Sequence, residues 1–139
     1  MPDGNLRQVR LQWTGDGLAF HGGPDGGVHV GVDSDGERGQ TPMESLLMAL
    51  AGCMAVDVLM ILEKSRVVVE ALEVEAVGRR ADAPPRRYES IELVYRLRGP
   101  TGEERPKVDR AIELSRDRYC SVLHTLADDT ILDIRVEMS

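Results

Sequence analysis

The stretch TPMESLLMALAGCMAVDVLMILEK, Thr41 to Lys64, decides the fold. It opens with the parts of a helix start in order: Thr41 to cap, Pro42 at the first helical position, and Glu44 placed to reach back and close a capping box. From Leu46 to Leu62 only Asp57 interrupts an apolar run that covers every side of the helix. Such a helix must be enclosed. It falls short of a bilayer span, carries an acid near its middle and lies among amphipathic segments, so protein rather than membrane is expected to cover it. A chain of 139 residues with thin sheets cannot cover all of it alone, which predicts an extensive interface with a second copy.

Outward from this helix the periodicity changes. Before it, Val9, Leu11 and Trp13, then Leu18 and Phe20, then Val28, Val30 and Val32 alternate with polar residues or glycine, broken by Thr14-Gly15-Asp16-Gly17 and a glycine-rich turn. That pattern predicts a three-stranded antiparallel meander of half-buried strands. After it, Leu72 to Ala76 and Ile91 to Leu97 alternate as two strands, and Leu132 to Met138 as a closing one. Between them Glu103 to Ala127 repeats Val108, Ala111, Ile112, Ser115, Tyr119, Val122, Leu123 and Leu126 at helical spacing. The expected order is βββ-α-ββ-α-β, an α+β fold, with residues 1–139 forming one domain.

Composition narrows the function. The net charge of −7 argues against a duplex nucleic-acid partner and a polybasic membrane anchor. The first residues, MPDGNLRQ, do not read as a secretory signal, which makes the cytoplasm the expected compartment. Two cysteines and three histidines, with no CxxC, give no zinc-type spacing, so no metal or cofactor is expected. His21 and His29 flank the glycine-rich turn without a third ligand, and the glycine clusters form neither GxGxxG nor a P-loop.

The thiols remain. Cys53 lies too far inside its helix for the helix dipole to activate it, and Asp57, four residues on, shares its face. Cys120 has Arg116 and His124 one turn to either side; both can steady a thiolate or simply point to water. Glu44 is either a cap alone or an acid, base or arginine partner. Nine helical residues put it about 180° around the axis from Cys53, so it can serve only the Cys53 of another chain.

Thr41-Pro42-Met43-Glu44, Leu50-Ala51-Gly52-Cys53 and Tyr119-Cys120-Ser121-Val122 together resemble the OsmC/Ohr superfamily over essentially the whole chain. The resemblance implies an intertwined homodimer with sites at the subunit interface. It also implies a peroxidase that reduces organic hydroperoxides, with Cys53 peroxidatic, Cys120 resolving and a dithiol reductant completing the cycle. Typical members carry a glutamate directly after the proline and an arginine in the first loop. Here Met43 takes the glutamate's place and the loop has no arginine, leaving Glu44 and Arg38 as the charged candidates nearby. The alternative expectation is a non-catalytic dimer that binds a small apolar ligand at the interface.

Overall fold

In a computed structural model, which describes residues 4–139, the chain divides into two compact units, one up to Leu46 and the other Leu47–Ser139. The first holds β1 (Arg10–Trp13), β2 (Ala19–Gly23) and β3 (Val30–Asp33), paired antiparallel in that order. The meander forms as the alternation predicts, but β1 is exposed along its whole length, with Leu11 56% and Trp13 55% accessible. Three strands of four or five residues supply no second layer within their own unit, so alternation alone does not bury a face. The turn after β3 is organised by Asp33, whose carboxylate accepts from the backbone N–H of Asp35 (2.9 Å) and of Arg38 (3.0 Å).

Helix α1 (Pro42–Lys64) begins where the sequence places it. The Thr41 N–H donates to Glu44 Oε1 at 2.9 Å and the Glu44 N–H donates to Thr41 Oγ1 at 3.2 Å, the reciprocal bonds of a capping box. These bonds from Thr41 hold the Glu44 carboxyl below its ordinary value of 4.5. Its contribution is complete above that value and is lost as pH falls through the lower folded-state value. Thr41→Ala is therefore expected to cost about 0.5–2 kcal/mol in chemical denaturation. Glu44→Gln is expected to flatten the acid-side fall in stability.

The chain itself covers only one stripe of α1: Leu50, Met54, Val58 and Leu62 are buried, whereas Met48, Val56, Leu59 and Met60 are exposed. Residues four apart make the stripe. The second unit adds β4 (Ala71–Arg80), β5 (Tyr88–Arg98) and β6 (Ile131–Met138) in that spatial order, β4–β5 antiparallel and β5–β6 parallel. A parallel neighbour demands a long crossover, and the helical segment between β5 and β6 provides it. Ile91, Leu93, Tyr95 and Leu97 alternate along β5 into the core, joined there by Val108, Ala111 and Ile112. On the opposite face Arg96 ties the three strands together, donating to Glu73, Glu75 and Glu137 at 3.0, 2.8 and 2.9 Å.

The second helix is not continuous, contrary to its periodicity. A 3-10 turn (Gly102–Glu104) leads into α2 (Arg105–Leu114), then a π-turn spans Ser115–Tyr119, Cys120 is extended (φ −72°, ψ 104°), and α3 covers only Ser121–Thr125. The Cys120 N–H closes the π-turn on the Ser115 carbonyl at 2.9 Å. One residue more than an α-turn needs is thereby taken up immediately before a cysteine.

Candidate functional site

The second unit brings Cys53 and Cys120 together. Helix α1 presents Cys53 and Asp57 one turn apart, and the break between the π-turn and α3 delivers Cys120 to the same place. One ligand atom from each, the two Sγ and a carboxylate oxygen, all lie within 4.8 Å of one another. Neither cysteine is bonded; Cys53 is half-buried and Cys120 fully buried. A disulfide needs S–S of about 2.05 Å, so a modest approach of the two sulfurs suffices to close one.

Three neighbours complete the cluster. The Ser115 hydroxyl, itself inaccessible, donates to Asp57 Oδ2 at 2.8 Å. The Leu123 N–H donates to Cys120 Sγ at 3.4 Å. Tyr95 is completely buried, and its hydroxyl has no hydrogen-bond partner among the described residues. Burial, then the proximity of Cys120 and Asp57, drives its phenol well above the ordinary range. A buried unpaired hydroxyl costs about 1–3 kcal/mol, so this one marks a place where an acceptor is missing.

Burial pushes the Cys120 thiol up to about 11, opposed by the Leu123 N–H and reinforced by Cys53 and Asp57. Cys120 is therefore held in its thiol form near neutral pH. In a Cys53→Ser protein, burial still raises the Cys120 thiol, so its iodoacetamide labelling should go on accelerating with pH beyond the range where an ordinary thiol levels off. A labelling rate that levels off near pH 8 would contradict this placement.

The flanking Arg116 and His124 side chains are engaged elsewhere. Arg116 pairs with Asp117 at 2.8 Å, and His124 Nδ1 lies 2.8 Å from the Cys120 carbonyl oxygen rather than from its thiol. Arg38 braces the first turn through Asp16 (3.3 Å), and Glu44 is engaged in its cap. The His21 and His29 rings lie 5.7 Å apart, with His29 Nε2 at 3.0 Å from the Pro24 carbonyl, and no third ligand gathers there among the described residues.

Asp57 borders an open recess of about 510 Å³, lined also by Met60, Ile61, Lys64, Leu114 and Tyr119. The sequence places Asp57 on the face of Cys53 but does not show it meeting Cys120 or Ser115. Its signal was present as the one acid in the apolar run, and Ser115 as a hydroxyl within an otherwise apolar stripe.

Comparison with known proteins agrees with this architecture. Protein YhfA of Escherichia coli K12 is 37% identical over 116 residues, 83% of this chain and 85% of its own length. A crystal structure of a protein from Aquifex aeolicus VF5 superposes with a TM-score of 0.84 at 30% identity, covering 96% of both chains. The OsmC-like protein of Mycoplasma pneumoniae gives 0.83 at 17% identity over 98% of this chain and 99% of its own, a likeness of fold. The family model described as OsmC-like protein matches residues 34–135, and the chain belongs to that family.

Proposed function

We propose that the protein is a thiol-dependent peroxidase that reduces organic hydroperoxides through Cys53 and Cys120. The observation that carries this reading is the convergence of two free sulfurs from elements 67 residues apart in sequence, one half-buried and one buried. Structures titled organic hydroperoxide resistance protein, from Elizabethkingia anophelis and Bacillus subtilis, share the fold at 14% and 13% identity, with TM-scores of 0.65 and 0.64.

The chemistry runs in three balanced steps. Cys53 sulfur attacks the distal peroxide oxygen, the O–O bond breaks, and the alcohol leaves once its alkoxide takes a proton. The resulting sulfenic acid condenses with the Cys120 thiol, forming the S–S bond and releasing water. A dithiol reductant then exchanges with that disulfide and restores both thiols. Asp57 supplies the proton path that the missing glutamate and arginine leave open. Fixed by Ser115 beside the thiols, its carboxylate accepts the Cys53 proton as the sulfur attacks and returns it to the leaving alkoxide. Asp57→Asn is expected to slow the first oxidation about 10²–10⁴-fold while leaving the disulfide able to form once oxidation has occurred.

The apolar wall of the recess, Met60, Ile61 and Leu114, suits the organic part of such a substrate. The working form is a homodimer in which the exposed stripe of α1 packs on a second copy, in the reducing cytoplasm where two free thiols persist. The test is direct. Reduced protein treated with cumene hydroperoxide should lose both thiols per chain, regain them with dithiothreitol, and respond more slowly to hydrogen peroxide. Retention of both thiols with either oxidant would overturn the reading.

A further inference from the structure

We propose that the reduced Cys53–Asp57–Cys120 cluster is a binding site for a thiophilic divalent cation of the zinc class, seated on the same two sulfurs that a disulfide would join. The three ligand atoms already lie within 4.8 Å of one another. Around tetrahedral zinc, with Zn–S about 2.3 Å and Zn–O about 2.0–2.2 Å, such atoms stand about 3.5–3.8 Å apart. Closing the difference needs small side-chain rotations only.

Each part of the cluster is built for ligation. Cys53 and Asp57 occupy positions i and i+4 of a rigid helix and so present their ligand atoms on one face. Cys120 comes from a residue outside regular helix, with its backbone extended. The Ser115 hydroxyl donates to Asp57 Oδ2, the kind of outer hydrogen bond that orients metal-ligating carboxylates.

Tyr95 supplies an independent indication. Its hydroxyl is fully buried, unpartnered among the described residues, and within electrostatic range of both Cys120 and Asp57. A ligated thiolate, or a water in the fourth position of the ion, is an acceptor of the kind that this donor lacks. Two thiolates with one carboxylate select a borderline or soft ion over magnesium or calcium, which take oxygen ligands. Binding releases the two thiol protons to solvent, and the ion's two positive charges offset most of the three negative charges then gathered there. Asp57 reaches the border of the open recess, so an ion has an entry path.

Because ligation and disulfide formation use the same sulfurs, a bound ion keeps the pair reduced and blocks its oxidation. The site does not depend on the peroxidase reading. Titrating reduced full-length protein with Cd²⁺ under anaerobic conditions should give a saturable thiolate-to-metal ultraviolet band with one ion per chain, displaced by Zn²⁺. Cys53→Ser and Cys120→Ser should each lose that stoichiometric band. Asp57→Asn and Tyr95→Phe should keep a band with affinity lowered about 10–100-fold, circular dichroism confirming that each variant is folded. Absence of the band in the wild type, or binding by Cys120→Ser as tight as wild type, overturns the site. Thiol loss with cumene hydroperoxide in metal-free protein is read separately. A protein that reduces peroxide without binding Cd²⁺ fails only the ion site, and one that binds Cd²⁺ without losing thiols fails only the peroxidase reading.

Discussion

Cys53→Ser is expected to abolish hydroperoxide reduction, with a rate loss on the order of 10⁴–10⁶-fold, the scale on which removal of an essential nucleophile is felt. After cumene hydroperoxide treatment its Cys120 should still titrate as one free thiol. The reason lies in the asymmetry of the pair: Cys53 is half-buried, whereas Cys120 is inaccessible and held protonated by its surroundings. The reciprocal variant should fail differently. In Cys120→Ser the first oxidation proceeds at Cys53, no partner thiol condenses with the sulfenic acid, and mass spectrometry should find Cys53 carried on to the sulfinic state. Equal oxidation of Cys120 in the two backgrounds would reverse the assignment of roles.

The largest expected stability effect lies in the central strand. Leu93 is fully buried midway along β5, level with Ala76 of β4 and Ile134 of β6. Leu93→Ala removes core volume that a three-stranded sheet has little freedom to refill, and a loss of about 2–5 kcal/mol is expected. Against a typical total of about 5–15 kcal/mol, that takes away much of the margin. The neighbouring Glu92 is exposed, and Glu92→Ala should stay within about 0.5 kcal/mol. Urea midpoints of the two variants at unchanged slope measure the contrast.

What was legible in the sequence is what local chemistry encodes. Thr41, Pro42 and Glu44 announce the start of α1 because the bonds that cap a helix lie within four residues of one another. Alternation of Ile91, Leu93, Tyr95 and Leu97 marks β5 because one residue in two faces the core, although Val94 on the other face is buried as well. The exposure of β1 was hidden, since alternation states which face is apolar and not whether anything covers it. The break at Cys120 was hidden as well: Ser115, Arg116, Asp117, Arg118 and Tyr119 carry neither glycine nor proline to interrupt the helical pattern. The site was half visible. Its sulfurs stood out by type and context, but the meeting of Asp57 with Ser115, 58 positions later, is a property of packing that no spacing rule contains.

The π-turn before Cys120 gives the site a tolerance of chain length that substitution does not probe. Each residue of an α-helix turns the chain by about 100° and advances it about 1.5 Å. The five residues from Ser115 to Tyr119 close a turn of the kind that about four close in an α-helix, so the surplus residue is absorbed there and the Cys120 sulfur keeps its bearing on Cys53. The surplus residue therefore acts as slack: deleting one residue from 116–118 is expected to convert the π-turn to ordinary α-winding and leave the sulfur facing that of Cys53.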